Sequence, residues 1–254
     1  MNISPPGSEK KARIYYFDTL RAFLILLVLI IHSANMLVPS YNMGVGGNSP
    51  YLQYCIDFLP QWIIALFFLF AGAGTRFALR RRTAGQFIGE RCRRLLIPLI
   101  GGFLLIAPLQ AYFEALGQPG QPTNFLAFSA SFLTHIPFSW NPQWMGAYLH
   151  HLWFLADLFL ISLLLLPLCR FFQSDSGSKL LDKLTSFCEG HKGLAAFWLF
   201  LVPLALVQLG LRPAFPGYQN WADVFTWLLC YIYGYVLFAT PRFAPSLPGL
   251  AKER

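Results

Sequence analysis

The sequence predicts an all-α fold, a polytopic transmembrane helical bundle of about six spans. Three observations carry that expectation. Hydrophobic residues make up 56% of the 254 and charged residues 12%, where a soluble domain carries about a quarter charged; the mean hydropathy is +0.51. Apolar stretches long enough to cross a bilayer recur along the chain, each bounded by Pro, Gly or charge. Lys and Arg are partitioned between the links: with a cytoplasmic N-terminus, 18 of the 19 fall on the cytoplasmic side and only Arg212 faces out, the asymmetry that orients membrane proteins.

In chain order, residues 1–12 are polar, hold Pro5, Pro6 and Gly7, and read as a cytoplasmic tail. The transmembrane domain follows over 13–240, with spans at about 19–38, 59–79, 95–115, 150–169, 194–211 and 221–239. The apolar run after Lys10, Lys11 and Arg13 has no small-residue cleavage site, so it reads as a retained first span rather than a signal peptide. Residues 39–50 form a Gly/Asn/Pro loop, 80–94 a basic loop and 174–193 a polar loop. Ala71, Gly72, Ala73 and Gly74 let span 2 approach a neighbour closely. Pro108 should kink span 3. Residues 117–150 contain no Asp, Glu, Lys or Arg and read as a surface or re-entrant loop with a short helix at 125–133. Pro241, Pro245 and Pro248 end the last span, leaving 241–254 as a second cytoplasmic tail.

Several function classes are set aside by pattern. The net charge of +8 does not form a nucleic-acid face, because the basic residues stand between apolar spans. The five cysteines are scattered without ligand spacing, so neither a disulfide framework nor a metal site is expected. No Gly-Lys-Ser/Thr follows the glycines of a P-loop, no Gly-x-Ser-x-Gly elbow offers a covalent nucleophile, and no internal repeat marks an inverted-repeat transporter.

The chemistry-bearing residues are few. Arg21 and His32 lie eleven residues apart in one apolar run, about 16 Å along a helix axis and close to three whole turns, hence on nearly one face. Arg21 alone reads as an interfacial anchor, and Asp18 as its i,i+3 ion-pair partner at the membrane surface. An imidazole well inside a span reads as functional. Seven arginines and no lysine lie from Arg76 to Arg94. Most set topology, but the guanidinium fork suits phosphate, and Arg91 and Arg94 share a helix face at the entry to span 3. His150 and His151 open span 4; successive helical residues point about 100° apart, so at most one is expected to share a site with His32. Asp157, deeper in that span, and Glu114, at the end of span 3, are carboxylates in apolar runs that call for partners.

Four motifs together resemble the acyltransferase-3 family of membrane O-acyltransferases, from about residue 14 to Asp157. The opening Tyr15-Tyr16-Phe17-Asp18-Thr19-Leu20-Arg21 places Asp18 and Arg21 on that family's Asp-x-x-Arg. Arg21 and His32 match its Arg-x10-His, Arg91 and Arg94 its Arg-x-x-Arg, and His151-Leu152-Trp153-Phe154-Leu155 its His-Leu-Trp-Phe-Leu. Residues 70–82 and 108–112 are similar to a glucan-modifying branch of the family; Ala71 stands where the family usually has Ser. The resemblance implies about ten spans, so a chain of six is either a shortened or truncated member or hides further spans.

The resemblance also implies a multi-pass protein of a bacterial inner membrane. Its expected activity moves an acyl group, succinyl in the glucan branch, from cytoplasmic acyl-CoA to a hydroxyl of an extracytoplasmic carbohydrate. Membrane lipid, acyl-CoA and the carbohydrate are then the partners, with no tightly bound cofactor. His32 and Arg21 become the catalytic pair, with His32 as general base and Asp18 orienting Arg21. Arg91 and Arg94 hold the donor phosphates, and His151 or Asp157 orients the acceptor or His32. Two other readings stand beside it: a carrier or flippase for an anionic or lipid-linked solute, and an inactive truncated member.

Overall fold

The computed structural model describes residues 15–35, 50–116, 120, 124–190 and 194–239, and every regular element among them is a helix. The two tails, the 39–49 link and the side chain of Asp18 lie outside the described residues. Helix α1 spans Tyr15–Asn35 and α2 spans Pro50–Leu79. Next come α3 (Ala84–Arg91), one π-helical turn (Cys92–Leu96), α4 (Ile97–Leu105) and α5 (Ala107–Leu116). The short α6 (Phe125–Thr134) precedes α7 (Gln143–Leu149), a 3₁₀ turn (His150–Leu152), α8 (Trp153–Leu164) and α9 (Leu166–Phe171). The order closes with α10 (Asp175–Gly190), α11 (Leu194–Leu211) and α12 (Trp221–Leu237).

Among the described residues, three helical stretches are long and apolar enough to cross a membrane: Tyr51–Leu79, Ala84–Leu116 and Gln143–Leu164. Shorter apolar helices cover Thr19–Ala34, Phe125–Thr134, Phe197–Leu211 and Trp221–Leu237. Many of their large apolar side chains are exposed, among them Phe23, Leu29, Trp62 and Leu105, as a lipid-facing surface requires.

Three segments expected as loops hold helix, the first being 117–150, where α7 follows the expected short helix. The basic stretch 80–94 is a loop only as far as Thr83. That residue caps α3 through a reciprocal box: its hydroxyl accepts from the Gln86 amide at 3.3 Å and its own amide donates to the Gln86 side chain at 3.0 Å. The polar stretch 174–193 is mostly α10, whose buried Gly177, Leu181, Thr185 and Cys188 recur at helical spacing. Span 2 also starts nine residues early, at Pro50, and Pro60 sits inside the continuous helix. The kink expected at Pro108 appears as a break at Ile106, two residues earlier, and an unforeseen break falls at Leu165, two before Pro167.

The core is built on α2 and α12, the most extensively packed pair of helices. A Cβ on Gly72 would collide with the carbonyl of Tyr231, and a Cβ on Gly234 with the carbonyl of Leu69. The glycines are reciprocal, so the two backbones themselves touch. Above this crossing an aromatic column links three helices: Phe68 stacks on Trp227 at 5.4 Å, and Trp227 on Trp153 at 5.0 Å. Helix α1 packs on α2 through Leu24, Ile31 and Ile63, leaving a groove among α1, α2 and α8.

Candidate active site

The groove holds two cavities end to end. One, of about 520 Å³, is lined by His32, Asp57, Gln61, His150, His151 and Trp153, with Tyr218 and Gln219 closing it. The other, of about 340 Å³, is lined by Arg21, Arg82, Glu90, Arg91 and Arg94 below the rings of Phe67, Phe87 and Phe154. Arg21 and His32 thus face the same groove from one helix, as their spacing required, but open into different cavities.

The hydrogen bonds of His32 fix its tautomer. Its Nδ1 lies 2.7 Å from the carbonyl oxygen of Val28, one turn earlier in α1. A carbonyl only accepts, so Nδ1 carries the proton and neutral His32 keeps its lone pair on Nε2. That nitrogen points into the cavity and meets Nδ1 of His151 at 3.2 Å, the two rings standing edge to face at 4.5 Å. His151 therefore donates to His32.

Both histidines of the pair line the cavity, against the expectation of at most one. The 100° argument assumes a continuous helix, and the chain breaks there: His150 has φ 50° and ψ −125°, a conformation costing a non-glycine residue on the order of 1–3 kcal/mol. His150 Nε2 reaches Oε2 of Glu114 at 3.2 Å, supplying the partner that Glu114 called for, while His150 Nδ1 is buried without a partner among the described residues.

At the other end, Arg21 donates from Nη2 to the Phe70 carbonyl at 3.1 Å, and its guanidinium passes close over Gly74, 3.2 Å from where a Cβ would stand. Arg91 and Arg94 both line the cavity but are held differently. Arg91 turns inward, stacks on Phe87 with the guanidinium carbon 4.8 Å from the ring centre, and donates to Thr75 Oγ1 at 2.8 Å. Arg94 is exposed and pairs with Glu90 at 2.9 Å; Glu90 also binds Arg82 at 2.5 Å. The guanidinium groups face an anion-sized space in which Glu90 is the resident carboxylate.

Asp157 is placed elsewhere. It is 4% exposed on the inward face of α8 and lines neither cavity. Sequence reasoning missed Asp57 and Gln61, which lie in the part of α2 expected as link or span start, and Tyr218 and Gln219, because nothing in the sequence brings the link after α11 over the His32 cavity. Gln143 Nε2 does so, donating to the Tyr218 carbonyl at 2.9 Å. Burial raises the Tyr218 phenol above its usual range, and the nearby carboxylates of Asp223 and Asp157 raise it further, so it stays a neutral hydroxyl at physiological pH.

Apolar helices around a groove with an imidazole at one end and guanidinium groups at the other define a multi-pass membrane protein with two polar half-sites. Residues 14–249 match the model of the Acyl_transf_3 family, described as an acyltransferase domain, and the chain belongs to that family. It is a membrane acyltransferase in that general sense. No curated protein and no solved structure matches the chain.

Proposed function

We propose that this chain moves an acyl group from cytoplasmic acyl-CoA to a hydroxyl of an extracytoplasmic carbohydrate. The observation that carries the reading is the state of His32, whose Nε2 lone pair is presented to a 520 Å³ cavity by the bond from Nδ1 to Val28. The acceptor hydroxyl enters that cavity, displaces the exposed His151 ring from Nε2, and gives its proton to His32 as its oxygen attacks the thioester carbonyl. The tetrahedral adduct then collapses, the carbon–sulfur bond breaks, and the thiolate recovers the proton from His32. The products are an ester and free CoA, with no other reactant. Arg91 and Arg94, with Arg21, hold the donor phosphates. Asp18 orients Arg21, His151 positions the acceptor, and Asp157, remote from both cavities, acts only through α8.

The arginine end is cytoplasmic in this scheme, which puts both termini inside and 13–240 in the membrane, flanked by tails 1–12 and 241–254. The acyl group is succinyl, the acceptor a glucan and the membrane a bacterial inner membrane, on the similarity of residues 70–82 and 108–112 to glucans biosynthesis protein C. A second reading, a carrier for an anionic or lipid-linked solute, is favoured by one feature, the closure between the two cavities.

The test uses the purified chain in lipid with radiolabelled succinyl-CoA and a linear glucan. Label enters glucan with the wild type, and His32→Ala lowers the rate by about 10²–10⁴-fold, the span of general-base effects, while CoA binding persists. Transfer at the wild-type rate by His32→Ala would remove the mechanism. Donor binding without any transfer would favour the carrier or an inactive truncated form.

A further inference from the structure

The guanidinium groups and His32 stand on opposite sides of a closure, and the closure is aromatic. Along α2, Ile63 and Ile64 line the His32 cavity, Phe67 follows, and Ala71 and Gly74 line the arginine cavity. Along α8 the change falls between Trp153 and Phe154, and along α1 between Val28 and Arg21, with buried Leu24 in the interval. Phe67 and Phe154 meet across the groove with ring centres 5.6 Å apart. A polymethylene chain lying between two rings needs about 4 Å to each, hence about 8 Å from ring to ring. The resting contact admits none.

The two rings are not equivalent. Phe154 is fixed by aromatic neighbours on three sides: Phe68 edge-on at 5.4 Å, Trp153 edge-on at 6.1 Å, and Phe67. Phe68 is itself fully buried and stacked on Trp227. Among the described residues Phe67 has one aromatic contact, Phe154, and otherwise packs on the aliphatic cluster of Leu24, Ile31 and Ile63. A rotamer change at Phe67 therefore disturbs only soft contacts.

Resting on the acyltransferase reading above, we propose that Phe67 and Phe154 form the constriction through which the donor's acyl arm is threaded toward His32. Phe67 is the moving leaf and Phe154 the fixed post. The gap that Phe67 can open sets the cross-section of acyl group the enzyme accepts. Unbranched aliphatic acyl groups pass, and aryl groups do not.

The experiment compares acetyl-, succinyl- and benzoyl-CoA as donors to a linear glucan, using full-length wild type, Phe67→Ala and Phe67→Leu in lipid nanodiscs, with CoA affinity measured by calorimetry. Phe67→Ala raises the benzoyl-to-acetyl ratio of kcat/KM by about tenfold or more, the discrimination that a single hydrophobic contact supplies. Phe67→Leu raises it less, and calorimetry reports any change in CoA affinity separately from that ratio. Should the alanine variant not fold, the leucine variant decides by the same ratio. Transfer with equal ratios in all three proteins overturns the constriction and leaves the acyltransferase intact. Folded wild type that transfers from none of the donors overturns both.

Discussion

At the residue scale, the most constrained atom near the arginine cavity is Thr75 Oγ1. Thr75 is fully buried and its hydroxyl has three neighbours: the Ala71 carbonyl at 2.9 Å, Tyr231 Oη at 2.5 Å and Arg91 Nη2 at 2.8 Å. A hydroxyl has one proton and two lone pairs, and all are used: the proton goes to Ala71, and Tyr231 and Arg91 donate to the oxygen. Thr75 thereby holds Arg91 at the cavity wall. Thr75→Val preserves shape but leaves the buried Tyr231 hydroxyl without its acceptor, at about 1–3 kcal/mol, and releases Arg91 from the cavity wall. It should lower the thermal midpoint in detergent and weaken CoA binding, while Thr75→Ser keeps both near wild type. A valine variant with wild-type melting and CoA affinity would show that Arg91 needs no such anchor.

At the element scale, the crossing of α2 and α12 makes a sharper demand than its apolar composition implies. The Cβ of Gly72→Ala meets backbone, which cannot rotate away as a side chain can, so the helices must part and strip contacts from Tyr231 and Tyr235. Gly101 in α4 has open space within 4 Å of where a methyl would stand and serves as control. Gly72→Ala and Gly234→Ala should each lower the recovery of monodisperse protein and its melting temperature, with Gly101→Ala unaffected; equal behaviour of all three would mean the backbones do not touch. The small residues 71–74 show in the sequence that α2 approaches something, but not what. Gly72 meets α12 and Gly74 meets the Arg21 guanidinium. Apolar runs announce themselves, so the apolar helices are legible, whereas the helices lying between them pass for loops when polarity is equated with irregularity. Their signals are present all the same: Thr83 and Gln86 form a capping box, and Leu181, Thr185 and Cys188 fall on one face. Placing His32 and His151 near the same membrane face suggests their pairing, but the left-handed break at His150 has no signature in the residue itself.

At the scale of the whole molecule, the two cavities give the basic residues of the links a second meaning. The arginine cavity lies at the end of the bundle where α2 leads into α3, the end that carries most of the Lys and Arg, and the His32 cavity lies at the opposite end. The single cation expected outside, Arg212, does not weaken that partition. It is bound into the fold, donating to both carboxylate oxygens of Asp223, to the Gly217 carbonyl at 2.5 Å and to Gln208 at 3.0 Å. One such cation against eighteen on the other side leaves the Lys and Arg bias intact. In the proposed orientation the arginine half-site lies on the side where CoA is made and the imidazole half-site faces a surface carbohydrate. That orientation is measurable without any assay of activity. In a chain freed of its five cysteines, Ser139→Cys, exposed in the link between α6 and α7, should react with a membrane-impermeant maleimide in intact cells. Arg81→Cys, exposed between α2 and α3, should react only after the membrane is opened. The reverse pattern would place the guanidinium groups outside, where no CoA reaches them, and would turn the groove into an entry for an external anion, which is what the carrier reading requires.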